Sequence, residues 1–431
     1  MKQTFLAIPP WLFDGWLTVG WLIVGLLIFL WQVRDSDWVR AAKDFLPLYL
    51  IVAAVIHFVF PLLEITGFNP ADPAGPPINM GLAIRGYGVF LMLAILSAVG
   101  LVVAGCRREK LDSEKALSFC FWIVVAGIAG ARVFYVIQKW GSFEGPGGSP
   151  SIIDLVDMTK GGLVVYGSLV GAGVAALFYI PFSRLPVWRT FDALAPAMML
   201  GLAIGRIGCL MNGCCYGGEC GDHPFGMQFP AGSAPYMDQL IDGTLFGADS
   251  DEAKDEKGIR VGTKIDLGSV AENVGLRAGD RFLVMPPEAG RIAAAAMHQV
   301  NPSGLEVVID SDGTGQKTIA MEVFSDRSLP IHPTQIYAAI NAAMLSLILW
   351  LLAERRRFVG EVFATMIIVY PVSRFLEEVI RHDEAGIFGT PFTISQWFSM
   401  FLLVAGIALY LYLYRKYLFE SPTRPTKSSF A

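Results

Sequence analysis

Four arginines lie inside or at the edges of long apolar segments of this sequence, where charged residues are unusual. They are Arg85, Arg132, Arg206 and Arg374. A cation at the centre of a membrane-spanning helix costs about 2.5–3.5 kcal/mol on insertion scales, so such residues face the bundle interior and meet a partner or a ligand there. For any single arginine, an internal salt bridge with Asp192, Glu377 or Glu378 would explain the charge without a ligand. All four together favour an anionic ligand, since buried ion pairs are weak evidence for stability.

The elements that carry these arginines are predicted from composition and hydropathy. The chain has 431 residues, of which 54% are hydrophobic and 16% charged, and its mean hydropathy is +0.52. Soluble proteins carry about 25% charged residues. These values exclude a soluble enzyme, a coiled coil and a disordered protein, and the net charge of −5 gives no indication of nucleic-acid binding. The sequence predicts a polytopic α-helical membrane protein with the lipid bilayer as a partner.

About nine membrane-spanning helices are predicted, because each apolar run approaches the ~20 residues that cross a bilayer. They cover residues 16–32, 45–65, 82–104, 116–137, 161–181, 192–210, 334–353, 361–379 and 394–414. Lysines and arginines concentrate in alternate loops, after the first, third, fifth, seventh and ninth helices. By the positive-inside rule this side is the cytoplasm. The N-terminus is therefore expected outside and the C-terminus in the cytoplasm.

This topology brings the four arginines toward the outer leaflet. Tyrosines lie near them in the sequence and supply hydroxyl groups: Tyr87, Tyr135, Tyr166 and Tyr370. Guanidinium groups bind phosphate in a bidentate manner. The pattern predicts a cationic, hydroxyl-lined pocket for an anionic lipid headgroup. The glycines in the same segments are expected to allow close helix packing.

The stretch from about 213 to 333 then forms a large outer loop that is long enough for a small domain. Its middle, GSVAENVGLRAGDRFLVM at 268–285, resembles the PDZ pattern, with Gly279 and Asp280 forming the turn into a strand Arg281–Met285. A small β-rich insert that does not bind peptide is the alternative, because peptide capture at a sheet edge cannot be deduced from a turn motif.

The motifs together resemble those of the prolipoprotein diacylglyceryl transferase family. That family's signature G-R-x-G-N-F-x-N-x-E appears at 205–214 as GRIGCLMNGC. The remaining landmarks follow in the family's order: R-x-Y-G at 85–88, G-x-R ending at Arg132, the glycine-rich segment 161–171, D-x-x-A-P at 192–196, H-P-[ST]-Q-[IL]-Y at 332–337, Y-G-x-x-R-x-x-x-E-x-x-R at 370–381 and Ser395-Gln396 in the last helix. The resemblance covers residues 82–230 and 330–415.

The resemblance implies a domain organisation with a seven-helix core. Residues 1–80 add two N-terminal helices, 81–230 and 330–418 form the two parts of the core, 231–329 form the PDZ-like insert, and 419–431 form a cytoplasmic tail. The implied location is the bacterial cytoplasmic (inner) membrane.

The resemblance also implies the reaction: transfer of the diacylglyceryl group from phosphatidylglycerol to the lipobox cysteine of a preprolipoprotein signal peptide, with release of glycerol phosphate and without a cofactor. On this basis we expect Arg206 to anchor the phosphate and Arg374 to act as a second cation. Tyr370 and Tyr87 would orient the headgroup, and Tyr166 would be a hydrogen-bond partner or proton relay. Further substrate contacts are expected from Arg85, Arg132, Asn212, Gln335, Glu378 and Arg381. Glu378 is expected to pair with Arg374 or Arg381 rather than act as a base.

The sequence departs from the family pattern at three places. Cys209 and Cys214 replace the signature Asn and Glu, Tyr166 stands where some members carry a histidine, and the N-terminal helices and the insert are additions. The group Cys214, Cys215, Cys220 and His223 lacks the regular spacing of strong zinc motifs. We therefore expect a disulfide or free thiols there and no metal.

Two other functions are consistent with some features of the sequence. A secondary transporter of an anionic solute would also carry buried arginines, but it should show two matching halves with broken helices, and the sequence shows no such repeat. A membrane-anchored PDZ-type scaffold that binds lipid or peptide would explain the insert, but it leaves the arginines, tyrosines and signature block unexplained.

Overall fold

The described part of the chain is mostly helical. The computed structural model describes residues 4–8, 19–20, 22–24, 66–67, 78–79, 82–140, 155, 164–221, 223–231, 233–252, 260–273, 275–285, 306–310, 316–320, 325–381 and 389–420. The two predicted N-terminal helices lie outside these residues, apart from the short helical pieces at 19–20 and 22–24. The chain divides into two compact units, residues 2–89 with 118–183, and residues 90–117 with 184–431 and Met1.

Nine helices account for most of the described residues. They are α1 (Gly86–Arg108), α2 (Ser113–Gln138), α3 (Val165–Ser183), α4 (Val187–Asn212), α5 (Ala234–Asp242), α6 (Val270–Asn273), α7 (Thr334–Arg355), α8 (Glu361–Ile380) and α9 (Ile394–Glu420). Among these, α1, α2, α3, α4, α7 and α9 are long and apolar enough to cross a membrane. Helix α8 is as long, but it carries Glu361, Arg374, Glu377 and Glu378.

The predicted span 82–104 is wrong at its first residues. Residues Leu82–Arg85 form strand β4, which pairs antiparallel with strand β1 (Thr4–Ile8) in a register that places Thr4 opposite Arg85. This segment is therefore paired with another strand, and the helix begins only at Gly86. A second short pair joins β2 (Thr66–Gly67) to β3 (Ile78–Asn79).

In the unit of residues 2–89 and 118–183, glycines let α2 and α3 approach closely. A Cβ atom built on Gly171 would lie 2.1 Å from the carbonyl oxygen of Ala126, and one on Gly167 would lie 2.4 Å from that of Gly130. Only a residue without a side chain fits at such a contact. The packing expected for these glycines is confirmed.

In the other unit, helix α4 packs against α7 and α8 through a small apolar core. Its buried members are Ala195, Met199, Leu345, Leu349, Val362 and Met366. At the end where α7 leads into α8, the buried carboxylate of Asp192 accepts hydrogen bonds from the backbone N–H groups of Gly360 (2.7 Å) and Phe363 (3.0 Å) and pairs with Arg356 (3.1 Å). Asp192 thus fixes the connection between α7 and α8.

The insert contains a five-stranded antiparallel sheet in sequential order. Its strands are β5 (Ala248–Glu252), β6 (Arg260–Ile265), β7 (Arg281–Met285), β8 (Glu306–Asp310) and β9 (Gln316–Ala320). Strand Arg281–Met285 lies where the sequence predicted it. Gly279, at φ +99°, makes the turn before β7, and the buried carboxylate of Asp280 accepts a hydrogen bond from the N–H of Arg277 (2.8 Å).

The core of the insert lies between the sheet and its short helices. Tyr236 and Leu240 of α5, Ala271 of α6 and Phe282 of β7 are among its buried residues. The two ends of the insert meet in a short neck, where Pro230 is bridged to Arg327 and Met227 to Ile331. The membrane helices before and after the insert are therefore joined at one place.

We predict that Gly171→Ala lowers the free energy of unfolding by about 1–3 kcal/mol, the usual effect of overpacking. The added methyl group would meet the backbone of α2. The matched control is Gly173→Ala on the same helix, where a Cβ atom meets nothing within 4 Å. The free energy of unfolding is measured for both purified variants in detergent. Equal losses of stability would show that the contact between Gly171 and Ala126 is not tight.

Candidate functional site

The site lies at one end of the unit of residues 90–117 and 184–431. Helices α4 and α8 end there, and α7 and α9 begin there, because consecutive membrane helices alternate in direction. This arrangement brings together the signature block, the segment that opens α7 and the charged end of α8. We call its charged residues, Arg206, Arg374, Glu377, Glu378 and Arg381, the arginine cluster.

Glu378 is the carboxylate at the centre of the arginine cluster. Its side chain is 0% exposed and forms ion pairs with Nη1 of Arg374 (2.6 Å) and Nη1 of Arg381 (3.2 Å). It also accepts a hydrogen bond from Thr393 (3.1 Å), and Arg374 donates to Ser395 (3.1 Å). The pairing expected from the sequence is present with both arginines, so Glu378 holds α8 and the start of α9 together.

Arg206, on α4, lies near the ion pairs of Glu378. It is within electrostatic range of Tyr370, Glu377 and two cysteines. Its Nε atom is buried and has no hydrogen-bond partner among the residues that the structure describes. A buried donor without a partner is costly, so this N–H is suited to an oxygen atom of a ligand.

The turn after α4 contains the last two residues of the signature block, Gly213 and Cys214. Gly213 (φ +74°) and Cys215 (φ +60°) both adopt the left-handed conformation, which is uncommon for a residue other than glycine. Helix α7 fixes this turn, because Gln335 donates from Nε2 to the carbonyl of Cys214 (2.8 Å) and Thr334 donates to that of Cys215 (2.7 Å). Asn212 is the last residue of α4 and directly precedes this turn. Gln335, a predicted substrate contact, therefore organises the turn.

The turn brings three thiols together. The Sγ atoms of Cys209, Cys214 and Cys215 all lie within 4.8 Å of one another, and all three cysteines are free and half-buried. Hydrogen bonds from Cys209 and Cys214, together with the positive charges of Arg206 and Arg381, hold the pKa of the Cys215 thiol well below its ordinary value. From the sequence we grouped Cys214 and Cys215 with Cys220 and His223. The contact of these two thiols with Cys209 was not predicted, because it depends on the left-handed turn at Gly213 and Cys215.

Other predicted site residues belong to the unit of residues 2–89 and 118–183. There Arg132 is buried, donates from Nε to the carbonyl of Leu155 (2.8 Å) and lies over the ring of Tyr135 at 5.3 Å. Tyr166 lies in the first turn of α3, half-buried, and Tyr87 is exposed on α1. The backbone of Arg85 ends strand β4. The roles predicted for these four residues stay predictions.

The architecture defines a multi-pass helical membrane protein with a cluster of buried guanidinium groups at one end of its helices. A family model described as "Prolipoprotein diacylglyceryl transferase" matches residues 77–412. The chain therefore belongs to the prolipoprotein diacylglyceryl transferase family, a family of transferases, as the sequence motifs indicated. With six apolar helices among the residues that the structure describes, it is a multi-pass protein of the bacterial inner membrane.

Individual relatives agree with the family model. A protein of Rhodopirellula baltica named phosphatidylglycerol–prolipoprotein diacylglyceryl transferase is 32% identical over 391 residues, which are 83% of this chain and 76% of the relative. Proteins with the same name from Listeria welshimeri and Thermosynechococcus vestitus are each 30% identical, over 36% and 37% of this chain and over 53% and 58% of their own lengths.

We predict that Glu378→Gln lowers the free energy of unfolding by about 3–5 kcal/mol, the usual result of removing one partner from a buried ion pair. Two buried guanidinium groups would lose their shared carboxylate. The control is Glu377→Gln, because Glu377 accepts a hydrogen bond from Asn341 (2.8 Å) and interacts with Arg206 at longer range. Its loss should cost about 1 kcal/mol. Denaturant unfolding in detergent measures both. Equal effects would mean that Glu378 is not the central counter-ion.

The lowered pKa of Cys215 predicts a distinct pH dependence of alkylation. Only the thiolate reacts, so between about pH 8 and about pH 6 the rate at Cys215 should fall less steeply than the rate of a thiol with the ordinary pKa of ~8.5. Burial raises the pKa of Cys220, so its rate should fall about tenfold per pH unit. Mass spectrometry of peptides after iodoacetamide treatment measures each site, and a parallel fall at both cysteines would contradict the prediction.

Proposed function

We propose that this protein transfers the diacylglyceryl group of phosphatidylglycerol to the lipobox cysteine of prolipoproteins. Membership of the family supports the reaction, and the orphaned Nε of Arg206 is the observation in the site that carries it. Phosphatidylglycerol has one anionic phosphate, and a buried guanidinium with a free donor is the group that binds it best.

The guanidinium groups of the arginine cluster favour an anionic ligand. Arg374 and Arg381 share the carboxylate of Glu378, and Glu377 lies within electrostatic range of Arg206. The Nε atom of Arg206 is buried and has no hydrogen-bond partner among the described residues. We therefore assign the phosphate of the lipid to Arg206, with Arg374 as the second cation.

The chemistry follows from this placement. The sulfur of the lipobox cysteine attacks the glycerol carbon that bears the phosphate, a C–S bond forms and the C–O bond breaks. The electron pair of that bond leaves with the phosphate oxygen, and glycerol phosphate is released. Negative charge grows on the phosphate in the transition state, so preorganised cations stabilise the transition state more than the ground state. The thiol must lose its proton before or during attack.

The remaining residues take supporting roles in this proposal. Tyr370, within electrostatic range of Arg206 and Arg374, would orient the headgroup from α8, and Tyr87 would do so from α1. Tyr166 would accept or relay the thiol proton. Substrate contacts that we also assign, from the family resemblance, are Arg85, Arg132, Asn212, Gln335, Glu378 and Arg381.

The topology and the insert complete the proposal. The distribution of basic loops supports an outer N-terminus and a cytoplasmic C-terminus, with nine membrane helices when the two N-terminal ones are counted. The arginine cluster and the insert then lie on the outer side, where secreted lipobox peptides arrive. We propose a PDZ-like character for the insert from its Gly279–Asp280 turn, and its edge strands β5 and β9 are the places where a peptide strand would add.

The test is transfer of labelled diacylglyceryl from phosphatidylglycerol to a lipobox peptide by the purified full-length protein. Arg206→Ala should lower the rate about 100- to 1,000-fold, the usual effect of removing a donor to developing negative charge. Arg206→Lys keeps the charge but loses the planar fork, and it should recover only part of this loss.

The matched control is Arg277→Ala, which removes an exposed arginine of the insert and should leave the rate unchanged. Folding of each variant is checked by its unfolding temperature. If folded wild-type protein does not transfer the lipid, the proposed reaction is wrong. If Arg206→Ala stays fully active, the phosphate lies elsewhere.

A further inference from the structure

The three thiols beside Arg206 are not needed by the proposed reaction, whose attacking sulfur belongs to the substrate peptide. Cys209 lies in the last turn of α4, and Cys214 and Cys215 lie in the turn that follows. Their Sγ atoms are within 4.8 Å of one another. Ligands bound to one metal ion at about 2.3 Å have this kind of mutual separation, so only small side-chain shifts would be needed to bind an ion.

The backbone holds the three sulfurs in place before any ion binds. Cys214 donates its N–H to the carbonyl of Cys209 (3.2 Å), which closes the end of the helix. Gln335 and Thr334 fix the carbonyls of Cys214 and Cys215 from another helix. A site whose ligands are held by surrounding hydrogen bonds loses little freedom on binding.

The type of ligand selects the type of ion. All three ligands are thiols, and within the described residues no His, Asp, Glu or further Cys joins the group. Structural zinc sites almost always have four protein ligands, whereas soft thiolates without harder ligands favour Cu(I).

We propose that Cys209, Cys214 and Cys215 form a three-sulfur binding site for a soft monovalent cation, Cu(I). The site lies against the arginine that we assign to the phosphate, and it is a property of this chain in addition to lipid transfer. Binding would replace the protons of the thiols with the metal ion and would involve no change of oxidation state.

The experiment titrates the purified full-length protein, under reducing conditions in detergent, with Cu(I) held by a coloured chelator such as bicinchoninate. We expect one Cu(I) per chain to leave the chelator, and X-ray absorption to report a first shell of three sulfur atoms. Cys214→Ser and Cys215→Ser should each weaken binding at least about 100-fold, since even loss of a residue that only supports a ligand costs 10–100-fold.

The matched control is Cys220→Ser, which removes a thiol outside the group and should leave the affinity unchanged. A second measurement covers variants that fold poorly: Cu(I) should protect Cys209, Cys214 and Cys215 of the wild-type protein from maleimide and leave Cys220 reactive. Equal loss of binding in Cys220→Ser, no protection, a shell without three sulfurs, or tighter binding of Zn(II) than of Cu(I) would each overturn the proposal. All these readouts are independent of transferase activity.

Discussion

The ion pairs of Glu378 are the interaction on which the site depends. Guanidinium groups carry a large desolvation cost among apolar helices, and a carboxylate with no exposed surface offsets it for Arg374 and Arg381 together. Because Glu378 also accepts from Thr393, the same carboxylate connects the end of α8 to the start of α9. Near these ion pairs, the buried Nε of Arg206 has no hydrogen-bond partner among the described residues.

The turn that carries Cys214 and Cys215 is held through its backbone. Two side chains of α7, Gln335 and Thr334, donate hydrogen bonds to the carbonyls of Cys214 and Cys215. Backbone carbonyls accept these bonds whatever side chain is attached. The shape of the turn therefore does not depend on the thiols that it presents beside Arg206.

Much of the fold and the pairing of Glu378 could be predicted from the sequence, since both depend on local signals. Apolar runs located the long helices, and the spacing of Arg374, Glu378 and Arg381 placed them on one face of a helix. The features that were missed are non-local or conformational. Strand Leu82–Arg85 pairs with a segment about 80 residues earlier, and the thiol cluster requires a left-handed residue at Cys215, which no composition rule anticipates.

The neck of the insert has a consequence for how this protein varies over evolution. The chain leaves the membrane core near Pro230 and returns at Arg327, which lies next to Pro230. The insert is therefore attached to the core at a single place. Domains whose ends lie close together are tolerated as insertions. Its length and sequence can therefore change, or be exchanged for another fold, while α4 and α7 keep their register. The domain on this neck can thus be replaced without redesign of the membrane helices.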